Sequence, residues 1–308
     1  RTPANIASRT LTPIIFGADT PYGGPGSGTV ESVTGITRAD LLAFKDRWIR
    51  PDNAELFVVS DRPLAEILPE LNAALGDWRA PAGARGTKSL GQMASPPEAS
   101  RVVLIDRPNS PQSYILGGYL TPARGQDPAI IDLLNANNAL GGNFLARLNM
   151  NLRETKGWSY GVRGAPNIAE NAVAYYISAP VQADRTGDAL AELMRETREF
   201  LGDRGVTDAE LERIIAKEVG ELPGQFETSR AVLGAMQSIE LYDRPDNYYE
   251  TLAERFRSQT RAGLDAAARA AIDPDRFVWV VVGEADKVRP QLEALGLPLE
   301  VRPMAGAN

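Results

Sequence analysis

No cysteine and no histidine occur among the 308 residues. Without cysteine the chain has no disulfide and no thiol nucleophile. Without histidine it has no Ser-His-Asp triad and no Cys/His metal site. A catalytic zinc ordinarily takes at least one nitrogen or sulfur ligand, and neither is on offer here. An all-carboxylate calcium or magnesium site stays chemically open, yet no D-x-[DN]-x-[DN]-G spacing supports one. Positive charge is also in deficit, with 33 Lys and Arg against 40 Asp and Glu, and no block of like charge stands out. Nucleic acid is therefore not an expected partner, because phosphate neutralisation needs clustered Lys and Arg. No apolar run approaches the roughly 18–20 residues of a membrane span. In Arg1–Ser8 no charged start is followed by the apolar stretch of roughly 7–15 residues that a signal peptide carries. A chain that is 43% hydrophobic and 24% charged has an ordinary globular composition, and its length suits one or two domains.

What is present includes an internal repeat, the feature to seek first. Thr37-Arg38-Ala39 matches Thr260-Arg261-Ala262, Leu41 matches Leu264, Pro51-Asp52 matches Pro274-Asp275, and Val58-Val59 matches Val281-Val282, always 223 residues apart. Each copy reads as a Thr N-cap, an amphipathic helix, a Pro-Asp turn, an apolar strand (Leu56–Val59 or Phe277–Val282) and a further helix. A second copy opening at Arg101–Ile105 has a counterpart that falls before residue 1. Residues 1–82 are thus expected to be the C-terminal part of a first domain truncated on its N-terminal side. The Pro/Gly/Ala/Ser-rich stretch reads as a linker over 83–100, and 101–308 as a complete second domain.

Within that second domain, strands are expected at Val102–Asp106 and Ser113–Leu120. Asp127 and Pro128 read as the start of a helix carrying Ile130, Leu133 and Leu134, with Asn137 interrupting its apolar face. Gly141-Gly142-Asn143 ends that helix and begins another, Phe144 to Lys156. Strands at Tyr160–Val162 and Val173–Ala179 follow. The rest reads as helical over 186–203, 207–222, 225–242, 247–256 and 260–272, before the strand Phe277–Val282 and a helix over Ala285–Leu295. Strands at both ends with helices between them predict an α+β fold: an antiparallel-rich sheet with helices packed on one face.

The stretch LGGNFLARLNMNLRETKGWSYGV, residues 140–162, resembles the G-G-x-F-x-S-R-L…R-E-x-x-G-x-x-Y signature in the second homologous domain of pitrilysin, insulin-degrading and mitochondrial-processing-type peptidases. Thr20-Pro21-Tyr22-Gly23 is similar to that family's H-P-Y-G turn, with Thr where His is common. Trp48…Pro51-Asp52-Asn53-Ala54 and Val58-Val59 resemble a further segment, so the likeness spans about residues 5–300. In this family two homologous α+β domains or subunits close around a chamber. One half carries H-x-x-E-H and a downstream Glu, which bind zinc and activate water. The other contributes an Arg and a Tyr, seven positions apart, that grip the substrate backbone; the matching residues here are Arg153 and Tyr160.

By residue type alone, an Arg on a helix's polar side is a solvated charge and a Tyr opening a strand is half-buried packing. The motif assigns the pair to substrate binding instead: Arg offers a rigid fork of donors, and Tyr a hydroxyl for developing negative charge. Gly141 and Gly142 are expected as a helix stop and close-approach point, or as a glycine-rich loop touching substrate. Glu154 is expected on the surface or in a salt bridge, and Phe144 in the core. The resemblance implies no catalytic residue and no metal in this chain, zinc being expected in a partner subunit or in a preceding half. The implied partners are that zinc-bearing homologue and an extended peptide, held by strand addition. Three arrangements fit: a non-catalytic subunit of a two-chain zinc endopeptidase, the C-terminal half of a single-chain one, or a structural relative without proteolytic role. For a bacterial type, periplasm and cytoplasm both stay open.

Overall fold

The computed structural model describes residues 2–304. In chain order it contains α1 (Pro3–Phe16), α2 (Val30–Gly35), α3 (Arg38–Trp48), α4 (Leu64–Leu75), β1 (Arg101–Asp106), β2 (Gln112–Leu120), α5 (Ile130–Leu140), α6 (Arg147–Asn149), β3 (Arg163–Ala169), β4 (Ala172–Gln182), α7 (Thr186–Leu201), α8 (Asp208–Glu221), α9 (Ser229–Leu241), α10 (Leu252–Arg257), α11 (Arg261–Ala271), β5 (Val278–Gly283), α12 (Ala285–Glu293) and β6 (Leu299–Pro303). The chain forms two compact units. One comprises residues up to Gly24, Gln92–Gly220 and Asn247 onward; the other comprises Pro25–Gly91 and Glu221–Asp246.

The larger unit is built on a six-stranded sheet of order β3-β4-β2-β5-β1-β6. Its β3-β4, β4-β2 and β2-β5 junctions are antiparallel, while β5-β1 and β1-β6 are parallel. The inner strands β1 and β5 are buried on both faces, which explains their continuous Val/Ile/Leu runs. Val102, Leu104, Trp279 and Val281 point to one face; Val103, Ile105, Val278, Val280 and Val282 point to the other. The first face carries the main helical layer. Leu133 and Ala136 of α5, Leu190 and Leu193 of α7, Leu264 and Ala268 of α11, and Val288 and Leu292 of α12 are all buried against it.

The opposite face is covered by α1. Thr2 caps its N-terminus by accepting from the Asn5 N–H, Pro3 occupies the first helical position, and Gly17 at φ +93° ends it. Ala7, Leu11, Ile15 and Phe16 recur at helical spacing and are buried. Burying Leu11 alone stabilises by about 1.5–3 kcal/mol.

Most expected strands and helices are found within a few residues; the helix expected over 247–256 is confined to Leu252–Arg257, that expected over Phe144–Lys156 is broken, and three further differences stand out. The helix expected from Asp127 begins at Ile130, because Asp127 is spent on a turn in which its carboxylate accepts from the Arg124 N–H. Tyr160–Val162 is not a strand; the strand is Arg163–Ala169, and residues 160–162 form the approach to it. The third difference lies in the smaller unit. Thr37 caps α3 through a reciprocal bond with Asp40, as Thr260 caps α11, matching the repeat. Yet residues 54–60, the counterpart of β5, carry neither helix nor strand. A strand needs a neighbour for its N–H and C=O groups. β5 lies between β1 and β2, whereas the described residues of the smaller unit contain no other strand. Leu56 and Val58 are exposed there, as are Val30, Leu41, Phe44 and Leu64.

Candidate functional site

Arg153 and Tyr160 converge because the chain between them makes a short, tied turn. Arg153 sits on a π-helical segment, Met150–Thr155, in which the Lys156 N–H donates to the Asn151 carbonyl. The sequence pattern predicts an ordinary helix here; the wider turn is a local departure of the kind that recurs at functional sites. Gly157 follows at φ +67°, a left-handed conformation that glycine adopts without a Cβ clash. The Trp158 N–H then folds back to the Leu152 carbonyl at 2.9 Å. Ser159 secures the turn to β4, its Oγ donating to the Pro180 carbonyl at 2.6 Å. The Gln182 N–H donates to the Trp158 carbonyl at 3.1 Å. The backbone of 157–161 is thus fixed while the Tyr160 side chain stands 87% exposed.

The Arg153 guanidinium carbon lies 5.8 Å from the Tyr160 ring centroid and 4.7 Å from that of Phe144. Both distances suit cation–π attraction. Its Nε lies 3.2 Å from a Glu154 carboxylate oxygen, so Glu154 is the surface ion-pair partner it was expected to be. The two terminal nitrogens of Arg153 carry no hydrogen bond among the described residues and present an open pair of donors.

Phe144 is not a core residue. It is 53% exposed, and its ring supports the guanidinium. It stands at the F of the G-G-x-F signature but was expected in the core; it reaches Arg153 because the chain turns at Asn143. Asn149, unmarked by the sequence, is 3% exposed and joins the two loops. Its amide nitrogen donates to the Phe144 carbonyl at 2.7 Å, and its amide oxygen accepts from the Val162 N–H at 3.0 Å.

Gly141 and Gly142 end α5 beside the start of β3. The Gly164 N–H donates to the Gly141 carbonyl at 2.9 Å, and a Cβ on Gly141 would come within 2.5–2.6 Å of the Gly164 backbone. Gly141 is therefore a close-approach residue. Asn137, which breaks the apolar stripe of α5, is buried in the same place: it donates to the Gly164 carbonyl and accepts from the Tyr175 hydroxyl. Burial drives the Tyr175 hydroxyl pKa well above its usual value. These bonds occupy both backbone groups of Gly164, and Pro166 has no N–H to give. The leading part of edge strand β3 is closed to an added strand.

Beneath the site, Arg147 fastens α6 to α8 through a two-pronged pair with Glu210, Nε to Oε1 at 2.9 Å and Nη2 to Oε2 at 2.6 Å. Burial raises the Glu210 pKa, but Arg147 and the Thr207 N–H outweigh it and hold the carboxyl below the usual range. No group of three or more acidic residues among those described is placed to hold a metal ion. With no His or Cys anywhere in the chain, these residues do not fit a catalytic zinc.

Residues 35–218 match the family model described as the peptidase M16 inactive domain. An uncharacterized zinc protease of Mycobacterium tuberculosis strain H37Rv is 26% identical over 297 residues, covering 95% of this chain and 64% of that protein. One from Mycobacterium leprae is 29% identical over 199 residues, covering 64% of this chain and 43% of that protein. The chain therefore spans less than two thirds of the length of these relatives. A crystal structure of a peptidase M16 inactive domain from Pseudomonas fluorescens superposes with a TM-score of 0.80 at 25% identity, covering 92% of this chain and 66% of that one. A protease structure from Helicobacter pylori gives 0.76 at 15% identity, over 91% and 70%, a likeness of fold. The chain belongs to the M16 peptidase family, as a member of its inactive-domain class.

Proposed function

We propose that this chain is the non-catalytic, substrate-holding part of a two-part zinc endopeptidase that cleaves extended peptides. The observation that carries this reading is the open donor fork of Arg153 beside the exposed hydroxyl-bearing ring of Tyr160. A fork held by two rings loses little freedom on binding, and so suits a peptide carbonyl. The Tyr160 hydroxyl donates to a carbonyl oxygen as it takes on negative charge. The chain's own residues bind and orient; the water-activating zinc belongs to a homologous half. Two homologous halves enclosing a chamber admit unfolded peptides rather than folded proteins.

Residues 1–82 read on this basis as the trailing part of a first peptidase-like domain, 83–100 as the linker and 101–308 as the second domain. The exposed Val30, Leu41, Phe44, Leu56 and Leu64 support pairing of the smaller unit with further polypeptide of the homologous half. The greater length of the mycobacterial relatives, each called a zinc protease, favours a second arrangement in which the zinc-bearing half lies on the same polypeptide.

The test is reconstitution. Purified alone, this chain is expected to carry no stoichiometric zinc and to cleave no quenched fluorescent peptide. Joined to its zinc-bearing half, in either arrangement, it is expected to support chelator-sensitive cleavage. An assembly that holds zinc yet leaves every unfolded peptide intact would reduce the chain to a structural relative.

A further inference from the structure

Asn151 serves the wide turn that carries Arg153 in two ways. Its backbone carbonyl accepts from the Lys156 N–H at 2.9 Å, the bond that closes the turn. Its side-chain amide points away from the turn and donates to two carboxylates of α7, Glu192 Oε2 at 2.6 Å and Glu196 Oε1 at 3.3 Å. Lys156, at the far end of the same turn, faces the other Glu192 oxygen, Nζ to Oε1 at 3.9 Å. The acceptors are themselves fixed. Arg195 Nη2 donates to Glu192 Oε2 at 2.7 Å and to Glu196 Oε1 at 2.8 Å, and Glu196 is buried. Arg195 foremost, with Asn151 adding to it, holds the Glu192 carboxyl below its usual range against the opposing effect of burial.

Glu192 thus receives residues 151 and 156 together, and this selects the form of the turn. In an α-helix, residues five apart point about 140° away from each other round the axis. The wider turn brings them to one side, where one carboxylate meets both. An α-helical turn would instead bond the Asn151 carbonyl to the Thr155 N–H and carry Lys156 and the chain leading to Tyr160 about 100° round the axis. We propose that Asn151, clamped to Glu192 and Glu196, is a positioning residue that fixes the wide turn and so aims Arg153 and Tyr160 at the substrate. The inference rests on the peptide-holding role given above. Asn151 touches no substrate; it acts by holding the guanidinium in place before a peptide arrives, which spares that ordering cost on binding.

The experiment measures kcat/KM for a quenched fluorescent peptide in the complete zinc-bearing assembly, for Asn151→Ala, Arg153→Ala and the double variant. Asn151→Ala is expected to lower kcat/KM about tenfold, within the roughly 100-fold that ~1 Å of misplacement can cost. Because Arg153 is already displaced in that variant, the double variant is expected to fall no lower than Arg153→Ala alone, whereas a merely structural loss would multiply. Glu192→Ala is expected to lower turnover as Asn151→Ala does. Glu192→Gln, whose amide oxygen still accepts from Asn151, is expected to recover most of it. Arg195 continues to face both carboxylates in Asn151→Ala, so the melting temperature is expected to change little. Hydrogen exchange of the natural-length protein gives a reading without substrate: exchange over residues 150–160 is expected to quicken in Asn151→Ala and Glu192→Ala but not in Glu192→Gln. Unchanged exchange over 150–160, wild-type kcat/KM in Asn151→Ala, or losses that multiply in the double variant each overturn the positioning role and leave the peptide-holding role standing. Wild-type kcat/KM in Arg153→Ala overturns both.

Discussion

Arg153 and Tyr160 meet across a turn anchored by backbone groups and the half-buried Ser159 hydroxyl: the guanidinium carbon stands 5.8 Å from the tyrosine ring, with Phe144 supporting it. The pair is held by surroundings that a substitution at either residue barely disturbs. Stability and grip are therefore separable by mutation.

Arg153→Lys separates charge from shape. Lysine keeps the positive charge but loses the planar fork and its stacking on Phe144. Turnover in the complete assembly is expected to fall nearly as far as for Arg153→Ala, with thermal unfolding unmoved. Wild-type turnover in the lysine variant would mean that a point charge suffices and that the fork geometry is incidental.

Gly141→Ala tests the close approach of α5 to β3. The added methyl would lie 2.5–2.6 Å from the Gly164 N and Cα, both backbone atoms with little room to yield. Overpacking of this kind costs about 1–3 kcal/mol. Denaturant unfolding reads it as a lowered midpoint, and an unaltered midpoint would show that the two backbones are free to separate.

Tyr175→Phe removes the donor to the Asn137 amide oxygen and leaves that oxygen buried without it. The expected loss is about 1–3 kcal/mol, seen as a lower urea midpoint. Equal stability in the phenylalanine variant would remove the reason given for a buried asparagine in α5.

The Arg147–Glu210 pair makes stability depend on pH in a definite sense. The folded-state pKa of Glu210 lies below its ordinary value of 4.5, so the unfolded chain takes up this proton at the higher pH. Its stabilising contribution is fully present above about 4.5 and is lost as pH falls through the lower, folded value. Wild type is expected to exceed Glu210→Gln in unfolding free energy at pH 7, and the gap to close on acidification below 4.5. A gap that stays constant down to pH 3 would contradict the ionised pair.

Much of this molecule is legible in its sequence, for local reasons. Continuous runs such as Val278–Val282 announce strands buried on both faces. Thr37 and Thr260 mark the starts of their helices because a hydroxyl at that position satisfies a free N–H. The Arg153 and Tyr160 pairing was legible only as a motif, since seven residues of spacing say nothing about the turn between them. The features that escaped are those that depend on distant neighbours. Residues 54–60 have the composition of a strand and form none, because no neighbouring strand completes them. Phe144 has the character of a core residue and lies at the surface, because Asn143 turns the chain and Asn149 holds it there. The π-helical turn at Met150–Thr155 has no compositional mark at all.

The central claim is that Arg153 and Tyr160 hold substrate for chemistry performed by a zinc-bearing half. The most direct test is kcat/KM for a quenched fluorescent peptide in the complete assembly, comparing wild type with Arg153→Ala and Tyr160→Phe. Zinc content and melting temperature are measured alongside. The expected result is a fall on the order of 100-fold in each variant, the scale of losing one donor to a developing oxyanion, with zinc and stability unchanged. Wild-type kcat/KM in both variants would contradict the claim and return the two residues to the protein surface as a cation resting between rings.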